Sequence, residues 1–213
     1  MIQMQNLQVW HGAKQIVGIT ADVAPGHVLT IMGPSGSGKS TLLAALTGTL
    51  PPNFRTTGRV LLQGRDVLTL PPHARRIGLL FQDDLLFPHL TVGGNLAFAL
   101  PYAAPNRAER IATALAEMDL AGFAPRDPAT LSGGQRARVA LARCLLSDPV
   151  ALALDEPFSR LDTALRAQIR TLVFTHARSL ALPVILVTHD PDDALAAGGQ
   201  TLPPLTRPAP DKD

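Results

Sequence analysis

The segment Gly33-Pro34-Ser35-Gly36-Ser37-Gly38-Lys39-Ser40 constrains this chain more than any other. It fits the pattern G-x-x-x-x-G-K-[ST], in which consecutive backbone N–H groups face a phosphate and glycines keep Cβ atoms out of the way. Lys39 would neutralise β- and γ-phosphate charge, and Ser40 would offer its hydroxyl to Mg²⁺. The apolar run Val28–Met32 before it reads as a strand, and residues 41–50 after it read as a helix whose positive end faces the phosphates. Strand, glycine loop and helix open an α/β fold. The plain alternative is a Gly-rich turn that holds no ligand.

A second segment, Val150-Ala151-Leu152-Ala153-Leu154-Asp155-Glu156, is an apolar strand ending in two acids. That ending is costly unless something cationic sits there. Asp155 can hold Mg²⁺, directly or through water, and Glu156 can polarise an attacking water. Alone the pattern is weak, because strands often end in acidic turns; behind a phosphate loop it gains force. A third segment, Leu131-Ser132-Gly133-Gly134-Gln135, opens a helix through residue 146. Ser132 suits the N-cap, and the paired glycines let backbone come close to a ligand. An ordinary capped helix is the plain reading. The sharper one is a second phosphate cradle, offered to a nucleotide held by another molecule.

Other stretches fill in the architecture. Leu7, Val9 and residues 16–23 alternate as strands do, and residues 77–81 and 184–187 read as further strands. Residues 107–120 are helical, with Ile111, Leu115 and Met118 on one face. The expected organisation is one domain with an α/β core, interrupted by a helical lobe over about 87–146, and a loose tail over 203–213. Pro51-Pro52 and Pro71-Pro72 mark loops.

Composition excludes several classes. The 213 residues are 46% hydrophobic and 17% charged, which suits a globular core rather than disorder. The net charge is +2 with no long basic run, so no nucleic-acid partner is expected. One cysteine, Cys144, forms no disulfide within the chain and is assigned to packing. The first ten residues lack the pattern of a signal peptide, and no apolar run approaches the roughly 20 residues of a membrane span. Any membrane role would run through a partner. His11, His27, His73, His89 and His176 show no metal-ligand spacing and read as structural or solvated. Asp83 and Asp84 read as solvated or partner-facing, and Arg136 and Arg138 as helix-surface or interface residues.

The three segments in this order resemble the signature set of ABC ATPases, over most of the chain from about Leu7 to about Ala196. The resemblance implies a P-loop NTPase (RecA-like) core with an N-terminal antiparallel β subdomain and the inserted helical lobe. It implies ATP and Mg²⁺ as cofactors and a head-to-tail homodimer in the ATP-bound state, with Ser132, Gly133, Gly134 and Gln135 of one copy facing the P-loop of the other. ATP contacts are then expected from Trp10, from Gly33 through Ser40, and from Thr41. Trp10 stands where the family carries an adenine-stacking aromatic, more commonly Tyr. Gln82 matches a glutamine that contacts Mg²⁺ and the water, so Mg²⁺ would be shared by Ser40, Gln82 and Asp155. Glu156, His189 and Gln82 are the catalytic candidates, with His189 reaching the γ-phosphate. Asp162, in Ser159-Arg160-Leu161-Asp162, falls in the loop that crosses the dimer interface.

Residues 86–92, Leu-Phe-Pro-His-Leu-Thr-Val, are similar to importers served by a periplasmic binding protein, including those for thiamine, iron, molybdate and polyamines. The implied partners are membrane permease subunits and, indirectly, that binding protein; the implied location is the cytoplasmic face of a bacterial inner membrane. The rival readings are an exporter or cell-division ATPase, a soluble ABC ATPase acting on nucleic acid or ribosomes, and a nucleotide-binding module without turnover. Only 24 residues follow His189, so a regulatory domain is expected to be absent and the last core strands short or missing.

Overall fold

The computed structural model describes residues 1–34 and 36–203. In chain order its elements are β1 (Ile2–His11), β2 (Lys14–Val23), β3 (Val28–Met32), α1 (Lys39–Thr47), β4 (Phe54–Leu62) and β5 (Arg65–Asp66). Then come α2 (Pro72–Arg75), β6 (Ile77–Leu80), α3 (Val92–Ala99), α4 (Arg107–Glu117) and α5 (Gly133–Leu146). The chain continues through β7 (Ala151–Asp155), α6 (Thr163–Ser179), β8 (Val184–Thr188), α7 (Pro191–Ala197) and β9 (Gln200–Leu202).

Two sheets share the work. An antiparallel sheet runs β2-β1-β4-β5, and a parallel sheet runs β6-β7-β8-β3-β9. The central parallel strands β7, β8 and β3 are buried on both faces, which is why they read as continuous apolar runs. Side-chain alternation then splits the core in two. Leu152, Leu154, Val184 and Leu186 face the helical lobe with Leu96, Leu115, Leu141 and Phe174. Ala151, Ala153, Ile185 and Val187 face the antiparallel sheet and α1, against Val9, Val17, Leu42 and Leu46. Phe158 is fully buried and meets Phe174 edge-on at 5.9 Å. A phenylalanine buried this fully contributes roughly 1.5–3 kcal/mol.

Several boundaries differ from the sequence reading. The helix read from Thr41 to Leu50 begins at Lys39 and stops at Gly48, which takes the left-handed C-terminal conformation. The Pro71-Pro72 loop gives way at Pro72 to the short α2, whose first turn accepts proline. At its end Arg75 is buried and donates to the carbonyls of Ala45, Leu46, Leu68 and Leu70, so a guanidinium closes the C-terminal end of α1. The last described strand, β9, has three residues and pairs with β3. Residues 204–213, most of the expected loose tail, lie outside the described residues. No described helix is long and apolar enough to cross a membrane.

Within the span read as a helical lobe, α3 is the element its own sequence supports least, since Gly93 and Gly94 lower helix propensity. It is held by tertiary contacts. Thr91 caps it by accepting from the Gly94 N–H at 3.0 Å. Asn95 is fully buried; it accepts from the Phe87 N–H and donates to the carbonyls of Phe87, Leu90 and Thr91. One amide thus holds the whole 87–91 turn.

Candidate active site

The phosphate loop is shaped by a close approach. Gly38 has φ 88°, and a Cβ there would meet Val17 Cγ2 at 2.9 Å and the Ile16 carbonyl at 3.1 Å. The β1–β2 hairpin therefore presses on the loop, and only glycine fits. Ser35 lies outside the described residues. Lys39 begins α1 and is 5% exposed. Its ammonium donates to the carbonyls of Gly33 at 2.7 Å and Pro34 at 2.9 Å, and stands 3.8 Å from Glu156 Oε1. The cation occupies the mouth of the loop, backed by carbonyls and facing a carboxylate.

β7 brings the two acids to this cation. The Asp155 Oδ1 accepts from the Ser40 hydroxyl at 3.2 Å. Burial pushes the Asp155 carboxyl above its usual range, only partly offset by the Ser40 hydrogen bond and Lys39, with Glu156 adding to the rise. Glu156 sits at φ 47°, a left-handed conformation unusual for a side chain of this length. Its N–H is fixed to the Val187 carbonyl at 2.9 Å, so the end of β8 holds the strained residue in place. From the end of β8, His189 Nδ1 lies 3.1 Å from Glu156 Oε2.

A cleft of about 530 Å³ is lined by Gly36, Gly38, Lys39, Ser40, Thr41, Ile16, Gln82, Asp155 and Glu156, among others. It follows that P-loop, Gln82 and the strand-end acids open onto one volume. His189 joins it through Glu156 rather than by lining it. Trp10 lies one register position from Ile16, opposite Gln15 across the hairpin, with the Arg55 guanidinium 4.7 Å from its ring centroid. The polar side chains at the cleft are the hydroxyls of Ser40 and Thr41, the Gln82 carboxamide and the carboxylates of Asp83, Asp155 and Glu156, against the Lys39 ammonium. Hard oxygens around a carboxylate whose charge is poorly tolerated fit a Mg²⁺ ion.

The residues Ser132 to Gln135 are not among those lining this cleft. They form a complete capping box: the Ser132 hydroxyl accepts from the Gln135 N–H at 3.3 Å, and the Gln135 side chain accepts from the Ser132 N–H at 3.0 Å. The box uses the Ser132 and Gln135 N–H groups and leaves those of Gly133 and Gly134 over, as a helix begins with donors to spare. Asp162 caps α6 by accepting from the Leu165 N–H at 3.0 Å.

Asp84 departs from the solvated reading, whereas Asp83 keeps an exposed side chain in line with it. Asp83 pairs with Arg160, and Asp84 pairs with Arg136 at 3.5 Å. Burial raises the Asp84 carboxyl, opposed by Arg136. Arg143 also donates to the Asp84 and Leu85 carbonyls, so the segment after Gln82 is tied to α5. Arg138 pairs with Asp119 at 2.6 Å on the helix surface. Cys144 is buried as a packing residue, its thiol pushed up to about 12 by burial. The sequence reading missed Arg75, Asn95 and Arg166. For Arg166 a signal was present: Asp162 followed by apolar Ile169, Val173, Phe174 and Ala177 marks a capped helix.

Comparison with known proteins agrees with this geometry. Residues 16–159 match the family model described as ABC transporter. The chain is 50% identical over 186 residues to the Uncharacterized ABC transporter ATP-binding protein YnjD of Escherichia coli (strain K12), covering 86% of each. It is 47% identical over 186 residues to the Thiamine import ATP-binding protein ThiQ of Cereibacter sphaeroides, covering 85% of this chain and 79% of that one. Among solved structures, the dimeric structure of MJ0796, a bacterial ABC transporter cassette, superimposes with a TM-score of 0.77 at 29% identity, covering 95% and 94% of the two chains.

Proposed function

The chain belongs to the ABC transporter family as an ATP-binding, ATP-hydrolysing subunit, and from that premise we propose that it drives solute import as one half of an ATP-closed homodimer docked on a separate membrane permease. The observation that carries the dimer is a separation. Lys39, Ser40, Gln82, Asp155 and Glu156 line one cleft, while the helix start at Ser132 to Gln135, where the capping box leaves the Gly133 and Gly134 N–H groups over, lies elsewhere on the chain. A second copy would bring those donors to the nucleotide. The import direction is supported by the likeness to ThiQ, a thiamine import ATP-binding protein. A periplasmic binding protein would deliver the solute, and the chain would work at the cytoplasmic face. The domain reading, one ATPase unit with a helical insert at about 87–146, belongs to the same proposal.

Each side chain then has a task. Lys39 pairs with phosphate charge, and backbone N–H groups from Gly36 to Thr41 cradle it. Trp10 supplies a face for the adenine. Mg²⁺ would be held by Ser40, Asp155 and Gln82, and when bound it draws charge from the phosphate oxygens. Glu156 orients and polarises the water, held from behind by His189. Catalysis here is positioning and charge stabilisation rather than covalent chemistry. Closure would reach the permease through the segment after Gln82 and the helical lobe.

The test is size-exclusion chromatography of the Glu156→Gln chain with and without ATP-Mg. An ATP-dependent dimer that disappears when Ser132 is also changed to Trp supports the sandwich. A monomer that binds ATP, alone and beside its permease, overturns it.

A further inference from the structure

Two loops flank Glu156. One runs from Glu156 through Ser159 and Leu161 to Asp162; the other carries Thr188, His189 and Asp190. A single guanidinium joins them. Arg166, on the first turn of α6, donates through Nη1 to Asp190 Oδ2 at 2.7 Å. Through Nη2 it donates to the Ser159 carbonyl at 3.3 Å and the Leu161 carbonyl at 3.2 Å. Its Nε is buried without a partner, so the two terminal nitrogens carry the whole link.

Both ends of the link are braced. Asp190 also accepts from Arg170 at 3.3 Å, and Arg170 pairs with Asp193, which is 2% exposed. Asp193 accepts from the Thr188 hydroxyl at 2.8 Å, and that hydroxyl accepts from the Asp190 N–H at 3.0 Å. The residues on either side of His189 are thereby pinned to α6 and α7. At the other loop, the Ser159 hydroxyl donates to the Glu156 carbonyl at 2.9 Å. Apart from the Arg166 Nε, the polar groups of this network are paired with one another, and a network so connected favours one arrangement. Nothing in it touches the cleft, so its effect must pass through His189 and Glu156.

We propose that Arg166 is a positioning residue that locks the loop ending at Asp162 to the loop carrying His189, so that the 3.1 Å contact between His189 and Glu156 forms only when the first loop is in place. The proposal rests on the reading that Glu156 and His189 act in hydrolysis. If the Asp162 loop lies at the dimer interface, the clamp also makes one site's geometry depend on the other subunit, and hydrolysis becomes cooperative in ATP. Planarity matters: a guanidinium can serve a carboxylate and two carbonyls at once, whereas an ammonium is a point charge.

The experiment uses the full-length chain with ¹⁵N-labelled histidine, comparing wild type, Arg166→Ala, Arg166→Lys and Asp190→Asn. The His189 signal is assigned by its loss in His189→Gln. Expected in Arg166→Ala is a fall in kcat of about tenfold or more with KM within about threefold of wild type. The Hill coefficient for ATP should drop toward one, and the His189 ring resonance should move to its position in Glu156→Gln, the other five histidines staying put. Arg166→Lys should restore the melting temperature but not the Hill coefficient. Asp190→Asn cuts the same link from the other end and stands in if Arg166→Ala does not fold. An unmoved His189 resonance overturns the clamp, and so does a loss of rate matched by a shift of every histidine. If His189→Gln itself turns over at the wild-type rate, the reading of His189 in hydrolysis has failed, while the resonance arm still judges the clamp.

Discussion

Glu156 is held between an imidazole and an ammonium: its Oε2 lies 3.1 Å from His189 Nδ1 and its Oε1 lies 3.8 Å from Lys39 Nζ. With its backbone fixed at φ 47°, the carboxylate has little freedom of orientation. That suits a group meant to hold a water rather than to bind substrate. Glu156→Gln keeps the shape and the hydrogen-bonding reach but removes the charge. ATP binding should persist while phosphate release falls by roughly 10²–10⁴-fold. Phosphate release at the wild-type rate would remove Glu156 from the mechanism.

Lys39 is the nearest ammonium to both strand-end acids, and it is almost wholly buried. Lys39→Ala leaves Asp155 and Glu156 facing each other without it. The chain should lose ATP binding by equilibrium dialysis, and its melting temperature should fall, because truncating one member of a buried charge group strands the others. Dialysis showing unchanged ATP affinity would contradict the phosphate-loop reading itself.

Asp155 makes a prediction with the opposite sign for stability. Burial raises its carboxyl, so the folded chain binds the proton more tightly than the unfolded chain does. Stability from this group is therefore lost as pH rises from about 3.9 through the raised value, above which the penalty is complete. Asp155→Asn removes the penalty and can still accept from Ser40. The ligand-free variant should melt higher than wild type at pH 7, with the gap closing on acidification. It should also lose stabilisation by ATP-Mg, which wild type retains. A lower melting temperature at pH 7 would show that the Ser40 and Lys39 contacts outweigh burial.

What the sequence could show depended on how local the cause was. The phosphate loop, the acidic strand end and the Ser132 cap are short segments whose chemistry lies within a few residues, and they stood out. β4 did not: Phe54-Arg55-Thr56-Thr57-Gly58-Arg59 is largely exposed and is a strand because β1 pairs with it along its length. α3 did not, because its glycines argue against a helix that Asn95 and the surrounding core impose. The ion pairs of Asp83 with Arg160 and of Asp84 with Arg136 were not legible because the arginines lie more than fifty residues away in sequence. Trp10, Gln82 and His189 were singled out by resemblance alone. Gln82 is at the cleft and His189 is on Glu156, while Trp10 is not among the residues that line the cleft.

Two glycines of the phosphate loop separate strain from contact. Gly36 and Gly38 both have positive φ, 81° and 88°, so alanine at either pays the left-handed penalty of roughly 1–2 kcal/mol. At Gly36 a Cβ meets nothing within 4 Å, whereas at Gly38 it meets Val17 Cγ2 at 2.9 Å and the Ile16 carbonyl at 3.1 Å. The Ile16 carbonyl belongs to the β1–β2 hairpin and cannot swing aside like a side-chain end. Gly38→Ala should therefore melt lower than Gly36→Ala, at about 2–4 °C for each additional kcal/mol in a chain of this size. It should also weaken ATP more, since the hairpin and α1 must part to admit the methyl. Differential scanning calorimetry of the two variants side by side reads the first difference. Equal melting temperatures would mean that the hairpin yields freely and does not shape the loop.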